Sequence, residues 1–166
     1  MGFFFHSRHV NVLLCGLNGA GKTAITLKLN GLDPAIFPPK PTRGFNSVEA
    51  KVKGVKHIKW IFWDVCGQQQ FQRLWKTYYS NVICFAFVID ATDKERLSDA
   101  KTALIELVND AKGLHFPVLI WANKGHVDGL ESLLNDKVTL IECDAFKGDG
   151  LKDGLEWLKH MTKKHK

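Results

Sequence analysis

No stretch of this chain is apolar for long enough to cross a membrane, which takes about 20 residues. Phe3-Phe4-Phe5 is apolar but far too short for a secretory signal. The expected location is therefore cytoplasmic. Cysteine is scarce: Cys15, Cys66, Cys84 and Cys143 stand far apart, with no C-x-x-C pair. That excludes a zinc site or a redox motif of the usual kind. Cys15, Cys84 and Cys143 fall in strand-like runs, where a small buried thiol is the natural reading. The seven histidines show no metal-ligand spacing. Internal repeats and nucleic-acid-binding modules are missing too, so no nucleic-acid partner is expected. Five prolines are too few for a proline-rich linker, and Pro38, Pro39 and Pro41 share one loop.

What remains is an ordinary globular composition. The chain has 166 residues, 45% hydrophobic and 24% charged, enough for one domain with a proper core. The net charge of +6 gathers at Lys51, Lys53, Lys56 and Lys59 and in the tail from Lys159 to Lys166. A solvated face explains this, and attraction to an anionic membrane or an acidic partner is the sharper reading.

Strand-like and helix-like segments alternate. Strands are predicted at Val10–Cys15, Ser47–Val52, Ile58–Val65, Ile83–Asp90, Val118–Asn123 and Val138–Cys143. Ile83 to Ile89 is apolar on both faces, which suits a central strand covered by helices on each side. Helices are predicted at Lys22–Leu29, Lys94–Lys112 and Leu151–Lys163. In the second, Leu97, Ala100, Leu104 and Leu107 recur at helical spacing. Lys51 to Lys59, with Gly54, reads as a hairpin, and Phe37 to Pro41 as a non-helical loop. The pattern predicts a doubly wound α/β sheet with its ligand at the C-terminal ends of the strands.

Gly16-Leu17-Asn18-Gly19-Ala20-Gly21-Lys22-Thr23 fits G-x-x-x-x-G-K-[ST], between a strand and a helix as that motif requires. Its glycines let successive N–H groups curl inward around phosphate oxygens, and the helix N-terminus adds positive potential. Lys22 can reach the outer phosphates, and the Thr23 hydroxyl can hold Mg²⁺. A nucleotide kinase would also need a lid carrying arginines over the phosphates, and no segment looks like one.

Further elements come in order: Pro41-Thr42-Arg43-Gly44-Phe45-Asn46, Trp63-Asp64-Val65-Cys66-Gly67-Gln68, Asn123-Lys124 and Asp144-Ala145-Phe146. Together they resemble the Arf and Arf-like branch of the Ras-superfamily small GTPases, from about Val10 to Trp157. The resemblance implies a single-domain P-loop fold with a mostly parallel sheet of about six strands and helices on both faces. It implies a short N-terminal segment over 1–9, a GTPase domain over 10–163 and a basic tail over 164–166. It also implies GTP or GDP and Mg²⁺ as cofactors.

Under that resemblance Asn18, Gly19, Ala20, Gly21, Lys22, Thr23 and Ala24 cradle the phosphates. Thr23, Thr42 and Asp64 serve the metal, and Thr42 also senses the γ-phosphate. Gly67 offers it a backbone N–H, and Gln68 orients the attacking water. Asn123, Lys124, His126, Ala145 and Phe146 surround the base, with the Ala145 N–H meeting its carbonyl. Phe45, Trp63 and Tyr78 match an aromatic triad shown to effectors. An exchange factor, a GTPase-activating protein, a monomeric state and peripheral membrane contact complete the expectation.

The chain also departs from the family. The family reads Asn-Lys-x-Asp, whereas this chain reads Asn123-Lys124-Gly125-His126. The missing aspartate accepts from two guanine N–H groups, each such bond contributing roughly 1.5–3 kcal/mol. Neutral imidazole offers one acceptor at most. Guanine affinity should fall by about two powers of ten or more, at about 1.4 kcal/mol per tenfold. Asp128 reaches the base only if the loop is rearranged. Cys66 replaces a glycine and stiffens the second switch. Asn18 and Ala24 replace an aspartate and a threonine, tolerably. The switch I loop and the lysine hairpin are slightly long, which affects the toggle between nucleotide states. His126 to Lys137 is too short for the usual helix. Gly2 suits acylation, but His6 holds the usual Ser/Thr place, and Ser7 comes one late. With about eight residues before the first strand, no full-length amphipathic N-terminal helix is expected. The alternative to a switch is a scaffold of the same fold with weak, altered or absent guanine-nucleotide binding.

Overall fold

The computed structural model describes residues 7–50, 52 and 57–163. The Phe3–Phe5 run, Gly2, His6, the turn of the lysine hairpin at Gly54, and the 164–166 tail lie outside them. Six strands form one sheet: β1 (Arg8–Gly16), β2 (Phe45–Ala50), β3 (Ile58–Val65), β4 (Cys84–Asp90), β5 (Val118–Asn123) and β6 (Val138–Cys143). Their spatial order is β2-β3-β1-β4-β5-β6. β2 runs antiparallel to β3 at the edge, and every other pairing is parallel. The helices are α1 (Lys22–Leu29), α2 (Leu97–Leu114) and α3 (Leu151–Thr162).

Alternation along the strands builds two cores. On one face Val12, Leu14, Trp60, Phe62 and Trp121 pack under α1 and α3, joined by Leu155 and Leu158. On the other, Leu13, Phe85, Phe87 and Ile120 meet Leu104 and Leu107 of α2. Each large apolar side chain buried this way contributes roughly 1.5–3 kcal/mol. The Arg8 guanidinium ties the sheet to α3, donating to the carbonyls of Thr162 at 2.8 Å and Lys159 at 3.3 Å. That places a cation at the negative end of the helix.

Several boundaries differ from the sequence expectation. β1 begins at Arg8, α2 starts at Leu97 and ends at Leu114, and β2 covers Phe45–Ala50 rather than Ser47–Val52. A run of 3₁₀ turns from Gln69 to Asn81 is also present, a segment to which the sequence reading assigns no element. Trp75 is its one buried residue, and Tyr79 adds a ring contact with Phe85 and a 2.8 Å hydrogen bond to Asp110, so tertiary packing fixes the run. Between β5 and β6 stands a single 3₁₀ turn, Glu131–Leu133, where the sequence predicts a lost helix.

The strand register sets which residues meet at the edge of the sheet. Leu14 pairs with Asp64, Gly16 with Val88, Asp90 with Asn123, and Asn123 with Cys143. The C-terminal ends of five strands therefore share one rim, which carries every polar motif read from the sequence.

Candidate functional site

Between β1 and α1 the chain turns sharply through Gly16–Gly21. Gly21 has φ +109°, and a Cβ there would strike the Asn123 side-chain amide. Only glycine lets the loop lie this close to β5. The loop wraps the Lys22 ammonium, which is 6% exposed and donates to the carbonyls of Gly16 at 3.0 Å and Leu17 at 2.9 Å. Burial lowers the pKa of Lys22, and Asp64 opposes that shift.

Beside it three oxygens converge. The Thr23 hydroxyl donates to Asp64 Oδ2 at 2.7 Å, and the Thr42 hydroxyl lies 3.4 Å from the same oxygen and 3.2 Å from Thr23 Oγ1. Asp64 is 1% exposed, and its Oδ1 has no hydrogen-bond partner. Burial raises its pKa, against the pull of Thr23, Lys22 and Thr42. An orphaned buried carboxylate oxygen beside two hydroxyls is the donor set a hard divalent cation takes. The residues fit Mg²⁺.

Gly67 sits directly on the phosphate loop, where its carbonyl accepts from Asn18 N–H at 3.1 Å. A Cβ at Gly67 would collide with backbone atoms of Gly16, Leu17 and Asn18, so no other residue fits. Buried Cys66 next to it is held by its N–H, which donates to the Gly44 carbonyl at 2.7 Å. Its carbonyl accepts from Trp75 Nε1 at 3.0 Å. Gln68 is exposed and lines a neighbouring cavity with Asn18 and Arg96.

The cleft is lined by Asn18, Gly19, Gly21, Lys22, Thr23, Ala24, Pro39, Lys40, Pro41, Thr42 and Gly67. Asn123, Lys124 and Phe146 line it too. Ala20 lies beneath, its carbonyl accepting from Asn123 Nδ2 at 3.0 Å. The Ala145 N–H, expected at a base carbonyl, donates instead to Asn123 Oδ1 at 3.0 Å. His126 does not line the cleft.

Several members of this rim carry no signal strong enough to be picked from the sequence. The Lys124 ammonium pairs with Asp90 at 2.9 Å, and Thr92 donates to the other Asp90 oxygen. Partial burial works against Asp90 ionising, but Thr92 and Lys124 outweigh it and hold its pKa below the ordinary value. An acid closing a wholly apolar strand was its signal. Arg96 pairs with Asp93 at 2.6 Å and stands against Gly19. Neither Arg96 nor Lys40 carries a motif that marks it.

On the surface, Phe45, Trp63 and Tyr78 form a cluster with ring centroids 5.0–6.0 Å apart. Phe45 is 43% exposed, on the strand that comes after Thr42.

With this geometry established, the sequence profile of the ADP-ribosylation factor family matches residues 2–162. This chain belongs to the ADP-ribosylation factor family. Among relatives of the Arf family, it is 35% identical to ADP-ribosylation factor-like protein 3 of Caenorhabditis elegans. That alignment spans 91% of this chain and 86% of the relative. It is 30% identical to ADP-ribosylation factor-like protein 1 of Drosophila melanogaster, across 96% and 93% of the two chains. The Arl6 BBS3 small GTPase from Trypanosoma brucei, solved with the nucleotide analogue GppNp, superposes with a TM-score of 0.77 at 26% identity. It covers 95% of this chain and 99% of that one. The six-stranded, mostly parallel sheet is thus the small-GTPase fold, in a single domain. Members of the Arf family bind guanine nucleotides.

Proposed function

We propose that this protein is an Arf-like GTP-binding switch that recruits effectors and hydrolyses GTP slowly with Mg²⁺. The observation that carries this is the convergence of Thr23, Thr42 and Asp64, with Asp64 Oδ1 buried and unpartnered beside the Lys22 loop.

Thr23 and Thr42 would hold Mg²⁺, with Asp64 supporting it. Bound magnesium would neutralise charge that develops on the phosphate oxygens. Lys22 and the N–H groups of Asn18 to Ala24 would cradle the phosphates, and Gly67 would bring its N–H to the outermost one. Gln68, exposed next to that position, would orient water. Asn123, Lys124, Ala145 and Phe146 would flank the purine. Intrinsic turnover in this class is slow, so a GTPase-activating partner would supply useful rates and an exchange factor would reload the site.

Thr42 and Phe45 lie close together in the chain, so γ-phosphate contact at Thr42 would reposition the aromatic cluster offered to effectors. We assign the switch domain to residues 10–163, flanked by the 1–9 segment and the basic 164–166 tail. A cytoplasmic monomer with peripheral membrane contact, serving membrane trafficking, fits the family. Among the described residues no helix is long and apolar enough to cross a membrane.

A fixed scaffold is the second reading. It is favoured by the Gly67 carbonyl already bonded to the loop at Asn18. Calorimetry with Mg·GTP and Mg·GDP, alongside tryptophan fluorescence, tests the choice. A switch binds both and changes Trp63 emission between them. Identical emission in both states would favour the scaffold.

A further inference from the structure

We propose that this chain binds purine triphosphates without reading the purine 2-position, so that GTP and ITP occupy its site alike. The inference rests on the triphosphate reading above and concerns the opposite end of the same cleft.

His126 bridges two carboxylates. Its Nδ1 lies 2.7 Å from Glu142 Oε1, and its Nε2 lies 3.0 Å from Asp128 Oδ1. Ionised carboxylates only accept hydrogen bonds, so both ring nitrogens must donate. That state is the imidazolium, which has no acceptor to give to a base. The Glu142 hydrogen bond and the Asp128 charge raise the pKa of the ring accordingly.

The nearby carboxylates do not replace the acceptor. Asp128 and Glu142 hold the ring, and Asp144 accepts the N–H groups of Phe146 and Lys147, each at 2.9 Å. None of these three residues, nor His126, lines the cleft. At this end the cleft is lined by Asn123, whose amide is taken up by Ala20 and Ala145, by Lys124, whose ammonium is held by Asp90, and by Phe146, which is 45% exposed. An apolar stem and an aromatic face pack on any purine, and neither distinguishes a 2-amino group from hydrogen.

Guanine differs from hypoxanthine only by that amino group. The test is competitive binding of Mg·GTP and Mg·ITP to the full chain. The expected dissociation constants agree within about twofold, a difference under ~0.5 kcal/mol. A tenfold GTP preference in the unaltered protein would overturn the inference and leave triphosphate binding standing. Failure of either nucleotide to bind at millimolar concentration with excess magnesium would overturn the triphosphate reading itself, and the inference with it.

Discussion

The two ends of the cleft are built from different materials. At the phosphate end Lys22 and Asp64 are buried, their partners are backbone carbonyls and short hydroxyls, and two glycines leave no room for a side chain. At the far end His126 has a side chain 61% exposed and pairs with Asp128 and Glu142, themselves 91% and 57% exposed. A buried charge that loses one partner costs several kcal/mol, while an exposed pair contributes roughly 0–1 kcal/mol. The first end therefore resists substitution, whereas the second can drift without unfolding the protein. The chain shows this outcome: an intact phosphate loop and an altered base motif.

The contrast breaks most sharply at Lys22. Lys22→Ala removes the ammonium from the loop and leaves the Gly16 and Leu17 carbonyls without their donor. Two charge-assisted contacts from the ammonium to phosphate oxygens of the bound nucleotide, at roughly 1.5–3 kcal/mol each, predict at least about a hundredfold loss of Mg·GTP affinity by calorimetry. A loss under threefold would mean that the loop does not grip phosphate. Chelating magnesium comes next. Asp64 Oδ1 has no partner inside the protein, so the metal-free site should bind GTP at least roughly tenfold more weakly.

Gly67→Ala probes the same end by shape alone. Its Cβ would meet three backbone positions of the phosphate loop, which cannot swing aside as a flexible side chain would. Overpacking of this kind costs about 1–3 kcal/mol. For a chain of this size the midpoint of thermal unfolding should drop by roughly 3–10 °C, read by calorimetric scanning. An unchanged midpoint would show that the second switch lifts freely off the loop.

Legibility in the sequence divides along the same line. The alternation of apolar strands with amphipathic segments exposed the fold, because both faces of β4 must be covered. Gly16 to Thr23, Thr42 and Asp64 were legible because their chemistry needs fixed residue types at fixed spacing. The strand register was not written in any one segment, yet it brings Asp90 opposite Asn123 and Asn123 opposite Cys143. The Glu142 contact stayed hidden for that reason. Glu142 reads as one more strand residue, and only the β5–β6 pairing carries it to a histidine sixteen positions away. The 3₁₀ run from Gln69 to Asn81 was equally opaque, since its anchors, Trp75 and Tyr79, meet partners distant in sequence.

The smallest effect belongs to the exposed end. His126 is raised above its ordinary pKa of 6.5, first by Glu142 and then by Asp128. A folded-state value above the unfolded one stabilises the protein below the unfolded pKa, and that contribution fades as pH rises through the folded value. The ring is largely exposed, so solvent screening keeps the contribution small, and stability is the wrong readout. Proton NMR of the ring should show a midpoint above 6.5 in the intact protein. Glu142→Gln removes the leading cause and should bring the midpoint down toward 6.5, while Mg²⁺-dependent phosphate contacts stay as they are. A midpoint that ignores Glu142→Gln would dissolve the clamp. The ring would then be free to present an acceptor at the cleft, and the two ends would no longer be independent.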